Sequence, residues 1–194
     1  DIGIDFHGAI GPATAKLLIK ALEPYQPMFV EEPINCQNHD IMAEIARGTH
    51  LPIATGERVY TKWGFREVLE KHAATILQPD LCHAGGITEV RLIAGMAEAH
   101  YVQIAPHLYC GPLEAAANIQ IATCSPNFLI QESIETFGGF YAQIVKKPIK
   151  WEDGYIIPPD KPGLGIELNE EVAAAHPYTG SVFPKMVEKP VWPR

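Results

Sequence analysis

Asp1-Ile2-Gly3-Ile4-Asp5-Phe6-His7-Gly8 opens the chain and decides how the rest of it reads. Apolar residues alternate (Ile2, Ile4, Phe6), and the run ends in a carboxylate and an imidazole two residues apart, Asp5 and His7. In a strand, residues i and i+2 point to the same face. This strand end is therefore expected to present an oxygen ligand of the kind metals take beside a titratable base. Alone, Asp-x-His is ordinary, because polar residues are common at strand ends. Its weight comes from repetition.

Five more apolar runs end the same way. Residues 28–30 lead into Glu31-Glu32-Pro33, and Ile53-Ala54 into Thr55-Gly56-Glu57-Arg58. Residues 75–78 lead into Pro79-Asp80, 101–105 into Pro106-His107, and 128–130 into Gln131-Glu132. Asp5, Glu31, Glu57, Asp80, His107 and Glu132 thus recur every 23–27 residues. Between them lie segments with apolar residues at helical spacing, 13–22, 40–47, 64–71, 88–99 and 113–124. Pro12 stands near the start of the first, Asp40 is the expected N-cap of the second with Gly48 as its stop, and Gly85-Gly86 makes a turn before the fourth.

Regular strand–helix alternation implies a parallel sheet covered by helices. Polar residues always at the carboxyl end of the strand indicate a (β/α) TIM-type barrel, in which catalytic groups converge on that rim. An open doubly wound sheet competes, but a glycine-rich phosphate loop after the first strand is missing. Six βα units fill residues 1–139, and a barrel has eight. The chain starts without Met and directly in a strand, so the first two strands are expected to lie outside it, in a longer protein. Residues 140–194 turn proline-rich and read as an extension packed over the barrel or against another domain.

Composition limits the partners. A net charge of −8 speaks against nucleic acid, and no apolar run approaches the roughly 18 residues of a membrane span. Cys36, Cys82, Cys110 and Cys124 lack CxxC spacing, which argues against a zinc or redox motif and for reduced thiols in a cytoplasmic protein.

Three carboxylates at successive strand ends, Asp5, Glu31 and Glu57, suit Mg²⁺, which takes oxygen ligands and keeps positions for water and substrate. Each acid alone could be solvated or cap a helix; three in register favour the metal. Glu32 points away from its neighbour Glu31 and is assigned a supporting contact or a salt bridge. Asp80 and His107 lie at neighbouring strand ends, where an Asp–imidazole hydrogen bond prepares a general base. A structural Asp–His pair would look the same. Glu132 could stabilise an enolate or form a rim salt bridge, and His83 could touch substrate. His39, His50, His72, His100 and His176 receive no role. Together these groups suggest proton abstraction next to a carboxylate, with Mg²⁺ absorbing the charge of the enediolate and His7 and His107 as acid and base.

The segments DFHG (5–8), VEEP (30–33), ATGE (54–57), LQPDL (77–81), HAGGIT (83–88), IAPH (104–107) and IQES (130–133) follow one another in an order and spacing that resembles the mandelate racemase subgroup of the enolase superfamily. The acid-sugar dehydratases are the most similar branch, and the resemblance runs to PGLG at 162–165. It implies an N-terminal capping domain outside this chain. It also implies Mg²⁺ on Asp5, Glu31 and Glu57, His107 with Asp80 as the base, His7 as the acid and Glu132 as stabiliser of the enediolate. The implied reaction removes water from an aldonate such as galactonate or gluconate, giving a 2-keto-3-deoxy acid. A small-molecule substrate and a homo-oligomer follow as expectations. The branch continues DFHG with Arg where this chain has Ala9, which leaves the sugar open. A racemase or epimerase on the same scaffold, and a non-catalytic barrel relative, are the other readings.

Overall fold

Asp5 and Glu31 stand in direct register across the first pair of strands, and that pairing sets the pattern for the sheet. The structure, a computed structural model, describes residues 1–133 and 137–177. Five strands, β1 (Gly3–Asp5), β2 (Phe29–Glu31), β3 (Ile53–Thr55), β4 (Ile76–Leu77) and β5 (Gln103–Ile104), pair in sequence order and in parallel. Each strand lies beside its sequence neighbour, with no reversal of the winding. This is the wall of a (β/α) barrel, in contrast to a doubly wound sheet, whose strand order turns back on itself.

The strands alternate between two environments. Val30, Ile53, Leu77 and Ile104 join the main core beneath the helices, while Ala54, Ile76 and Ala105 form a separate small cluster with Phe29 and Leu129 on the other face. The helices are α1 (Pro12–Leu22), α2 (His39–Arg47), α3 (Thr61–Glu70), α4 (Leu81–Ala84), α5 (Gly86–Ala99) and α6 (Pro112–Cys124). Met42 and Ile45, Phe65, Val68 and Leu69, and Val90, Ile93 and Ala97 turn their apolar faces onto the sheet.

Several local expectations are corrected. The cap of α2 is Asn38, whose Oδ1 accepts from the Ile41 amide at 3.1 Å, so Asp40 already lies inside the helix. Helix α3 begins three residues before Gly64, held by Lys62, whose amide donates to Glu89 at 2.8 Å. Gly64 sits inside this helix because a Cβ there would come within 2.9 Å of Val59. Helix α4 was not expected; Asp80 nucleates it by accepting from the His83 amide at 2.8 Å. The sixth strand shrinks to a single parallel bridge between Ile104 and Phe128. There Asn127 spends its side-chain amide on the Ala94 and Val102 carbonyls, turning the chain just before the bridge.

Past residue 137 the chain packs on α6. Phe137 and Tyr141 close over Leu108 and Ala115, and Trp151 stacks on Phe137 with ring centroids 6.3 Å apart. Strands β6 (Lys150–Glu152) and β7 (Tyr155–Ile157) form an antiparallel hairpin about Asp153-Gly154, both at positive φ. Two short helices, α7 (Phe140–Gln143) and α8 (Glu170–Ala175), complete the segment. The remainder of the expected extension, 178–194, lies outside the described residues.

Candidate active site at the strand ends

Asp5 and His7 do meet, by a different route from strand alternation. The strand ends at Asp5, and His7 and Gly8 both take left-handed backbone, with φ of 54° and 59°. The turn is locked by the Gly8 amide on the Glu32 carbonyl (2.8 Å) and the His7 amide on Asp5 Oδ1 (2.6 Å). It brings His7 Nε2 to 3.3 Å from Asp5 Oδ2.

Glu31 and Glu32 are both buried and take opposite directions. Glu32 turns inward, where Thr55 Oγ1 and the Gly56 amide donate to one oxygen and Arg58 Nη2 binds the other at 2.5 Å. The same Arg58 nitrogen donates to the His7 carbonyl at 3.1 Å, tying the DFHG turn to the end of β3. Glu31 faces the rim. Burial, followed by the charges of Asp5, Glu132 and Glu57, pushes its pKa up to about 7 against the hydrogen bond from Gln78. The acids of four strand ends thus act on one point.

His107 is the centre of the polar cluster. Its Nδ1 lies 2.8 Å from Asp80 Oδ2, and its Nε2 lies 3.1 Å from Glu57 Oε2 and 4.0 Å from Glu132 Oε2. Burial would lower its pKa, but hydrogen bonds to Asp80 and Glu57 and the charges of Glu132 and Glu57 carry it up to about 10. Asp80 is 1% exposed; burial would raise its pKa, yet hydrogen bonds from His107 and the His83 amide hold it below the usual range. The main chain at His107 is fixed by Asn118, which donates to its carbonyl at 2.9 Å, and by the Leu108 amide on Glu132 Oε2 at 3.1 Å. His83 is exposed, with its Nδ1 at 3.1 Å from the Glu57 carbonyl.

Asp5, Glu31 and Glu57 share the rim without closing into a tight cluster. Among the described residues, the trio of ligand-type atoms all within 4.8 Å of one another is a different one, Cys82, Cys110 and Glu114. Like charges repel, and Glu57 is drawn aside by His107 and by Arg58, whose Nε lies 3.2 Å from Glu57 Oε1. The donor set fits a hard divalent cation. It is all oxygen, and its acids act on one another: burial, with the charges of Asp5, Glu132 and Glu57 behind it, lifts Glu31 to about 7.

The Glu31 shift has a measurable sign. Its folded pKa of about 7 lies above the ordinary 4.5, so the folded chain binds this proton more tightly than the unfolded one. The resulting stability is complete below the ordinary range and is lost as pH rises through about 7. The melting temperature of metal-free protein is expected to fall between about pH 5 and pH 8, and less steeply in Glu31→Gln. Parallel slopes in the two proteins would contradict this account.

Sequence reading missed Arg58, Gln78 and Asn118. Arg58 and Gln78 flank assigned residues, but only the fold reveals which way they turn. Gly56 also belongs here: at φ 151°, a Cβ on it would come within 2.7 Å of the Gln78 backbone, so the ends of β3 and β4 approach closely only with glycine.

The family model for the enolase C-terminal domain-like proteins matches residues 1–172. The chain belongs to that family. Curated relatives include a D-galactonate dehydratase of Ralstonia nicotianae, 46% identical over 178 residues (88% of this chain and 46% of the relative). Another is a D-galactonate dehydratase of Cronobacter sakazakii, 44% identical over 183 residues (90% and 47%). A crystal structure from Labrenzia alexandrii DFL-11 superposes with a TM-score of 0.90 at 57% identity, covering 93% of this chain and 47% of that one. The mandelate racemase/muconate lactonizing enzyme-like protein from Roseovarius sp. TM1035 gives 0.88 at 49% identity, with 93% and 45% covered. The chain spans about half the length of the relatives it matches. Within the family's barrel, the described strands supply one continuous arc of the wall, and every assigned residue lies at its carboxyl-terminal rim.

Proposed function

We propose that the full-length protein is a Mg²⁺-dependent dehydratase of a sugar acid, with its metal on Asp5, Glu31 and Glu57. The observation that carries this reading is the setting of His107. One nitrogen is fixed by buried Asp80 at 2.8 Å, while the other faces the acids of the rim. An imidazole held in this way is oriented to take a proton at Nε2. A divalent cation on the three acids would supply the positive charge they otherwise draw from His107, and would polarise the substrate carboxylate.

Each remaining step belongs to a residue of the chain. His107 Nε2 takes the C2 proton of the aldonate, leaving an enediolate. Glu132, whose carboxyl burial holds protonated above the usual range, is suited to donate a hydrogen bond to that enediolate. His7, beside Asp5, gives a proton to the departing 3-hydroxyl, which leaves as water. The enol then tautomerises to the 2-keto-3-deoxy acid. The curated relatives named D-galactonate dehydratase support an aldonate as the substrate class.

The test is incubation of the full-length protein with Mg²⁺ and a panel of aldonates in D₂O, followed by proton NMR. A 2-keto-3-deoxy acid from one of them is expected. Deuterium entering C2 without loss of water would replace this reading with a racemase or epimerase. An inert panel would point to a non-catalytic barrel.

A further inference from the structure

The cysteines carry a second site. Cys82 lies on α4, two residues past Asp80; Cys110 follows the strand end that bears His107; and Glu114 lies in the first turn of α6. No CxxC spacing links the two cysteines, yet the parallel winding sets their loops side by side. Their sulfurs and a Glu114 carboxylate oxygen all lie within 4.8 Å of one another.

Glu114 supplies an independent observation. The residue is 7% exposed, and its Oε2 is buried without a hydrogen-bond partner. Its other oxygen accepts a long bond, 3.4 Å, from the Cys82 amide. Its side-chain neighbours, close enough to share hydrogen bonds with it, are the two thiols and the Asp80 carboxyl group. A buried oxygen left without a donor costs free energy that a bound cation would offset.

We propose that Cys82, Cys110 and Glu114 form a binding site for a thiophilic divalent cation such as Zn²⁺, separate from the acids of the rim. Two sulfurs and one oxygen are a donor set that Mg²⁺ and Ca²⁺ decline and that Zn²⁺ accepts. Three protein ligands leave a fourth tetrahedral position for water. Metal–sulfur and metal–oxygen bonds of about 2.3 and 2.1 Å put tetrahedral ligand atoms roughly 3.5–3.8 Å apart. Reaching that spacing takes small shifts of two exposed side chains, Cys82 and Cys110. Binding breaks two S–H bonds and releases both protons to the buffer. The site stands independently of the dehydratase reading, since it uses none of the residues assigned to that reaction.

The experiment titrates Cd²⁺, as a spectroscopic stand-in for Zn²⁺, into reduced full-length protein in excess Mg²⁺. One equivalent per chain is expected to bind and to raise the thiolate-to-cadmium charge-transfer band. Cys82→Ser and Cys110→Ser should each weaken binding by about tenfold or more and reduce the band. Glu114→Gln should weaken binding with the band intact, whereas Cys124→Ser and Asp5→Asn should change neither. The ¹¹³Cd resonance of the unaltered protein should fall in the range of mixed sulfur–oxygen sites, a readout that survives if a variant fails to fold. The proposal is overturned if no saturable band appears, if the band persists in Cys110→Ser, or if Glu114→Gln leaves the affinity unchanged. The last result would remove Glu114 from the donor set.

Discussion

His107→Asn is expected to lower turnover of the responsive aldonate by about 10³-fold or more, the upper part of the range for losing a positioned base. Asn is too short to place a proton acceptor where Nε2 stands and has no basic nitrogen. Asp80 keeps its hydrogen bond to the His83 amide, and Asn118 still holds the main chain at position 107, so the rim should persist. The decisive comparison is with His7→Asn under the same D₂O conditions. If His107 removes the C2 proton and His7 serves the leaving hydroxyl, His107→Asn loses both deuterium exchange at C2 and product. His7→Asn should lose product and retain exchange. Exchange surviving in His107→Asn would assign the base elsewhere and end the mechanism proposed here.

A second large effect is expected at Arg58, which sequence reading passed over. Glu32 is fully buried, and Arg58 Nη2 at 2.5 Å is its cationic partner. Arg58→Met leaves that carboxylate uncompensated in the protein interior and should cost about 3–5 kcal/mol of stability, measured by urea denaturation of the full-length protein. It also removes the 3.1 Å bond to the His7 carbonyl, so the DFHG turn should loosen and activity should fall further than stability alone explains. Adding Glu32→Gln ought to restore most of the stability, because Gln can keep the contacts from Thr55 and Gly56 through its carbonyl oxygen. Activity should stay low in the double variant, since the turn remains unanchored. Simple addition of two losses would show that the Glu32–Arg58 pair is not the unit described.

These two predictions rest on different kinds of legibility. His107 was readable because its role depends on a strand-end position and on the regular interval back to Asp80. Arg58 was not, although it stands next to an assigned ligand. Its importance comes from reaching past the rim acid Glu57 to buried Glu32 and the His7 carbonyl, and adjacent residues give no sign of which will do so. The hairpin at Asp153-Gly154 is a miss of another sort. An Asp-Gly pair between a run ending Trp151-Glu152 and the run Tyr155-Ile156-Ile157 is a strong local turn signal, and the surrounding proline-rich character obscured it. Helix α4 and the Asn38 cap were also locally encoded, through Asp80 and Asn38 accepting amides three residues on. A choice between neighbouring capping residues is settled by which amide the helix axis brings into reach.

By itself, the sequence determined the parallel winding, the order of the strands and the set of polar residues at their carboxyl ends. Those features follow from hydrophobic period and from recurrence at a near-constant interval, both of which are properties of the chain in one dimension. Only the tertiary structure decided how the polar residues combine. It gave Glu57 to His107, turned Glu31 outward and Glu32 inward, and set the thiols of Cys82 and Cys110 against a buried carboxyl group. The physical reason is that hydrogen bonds and charge interactions act over a few ångströms through space. Residues 26 to 50 apart in the chain, such as Glu32 and Arg58 or Glu57 and His107, come within that range only once parallel strands lie side by side.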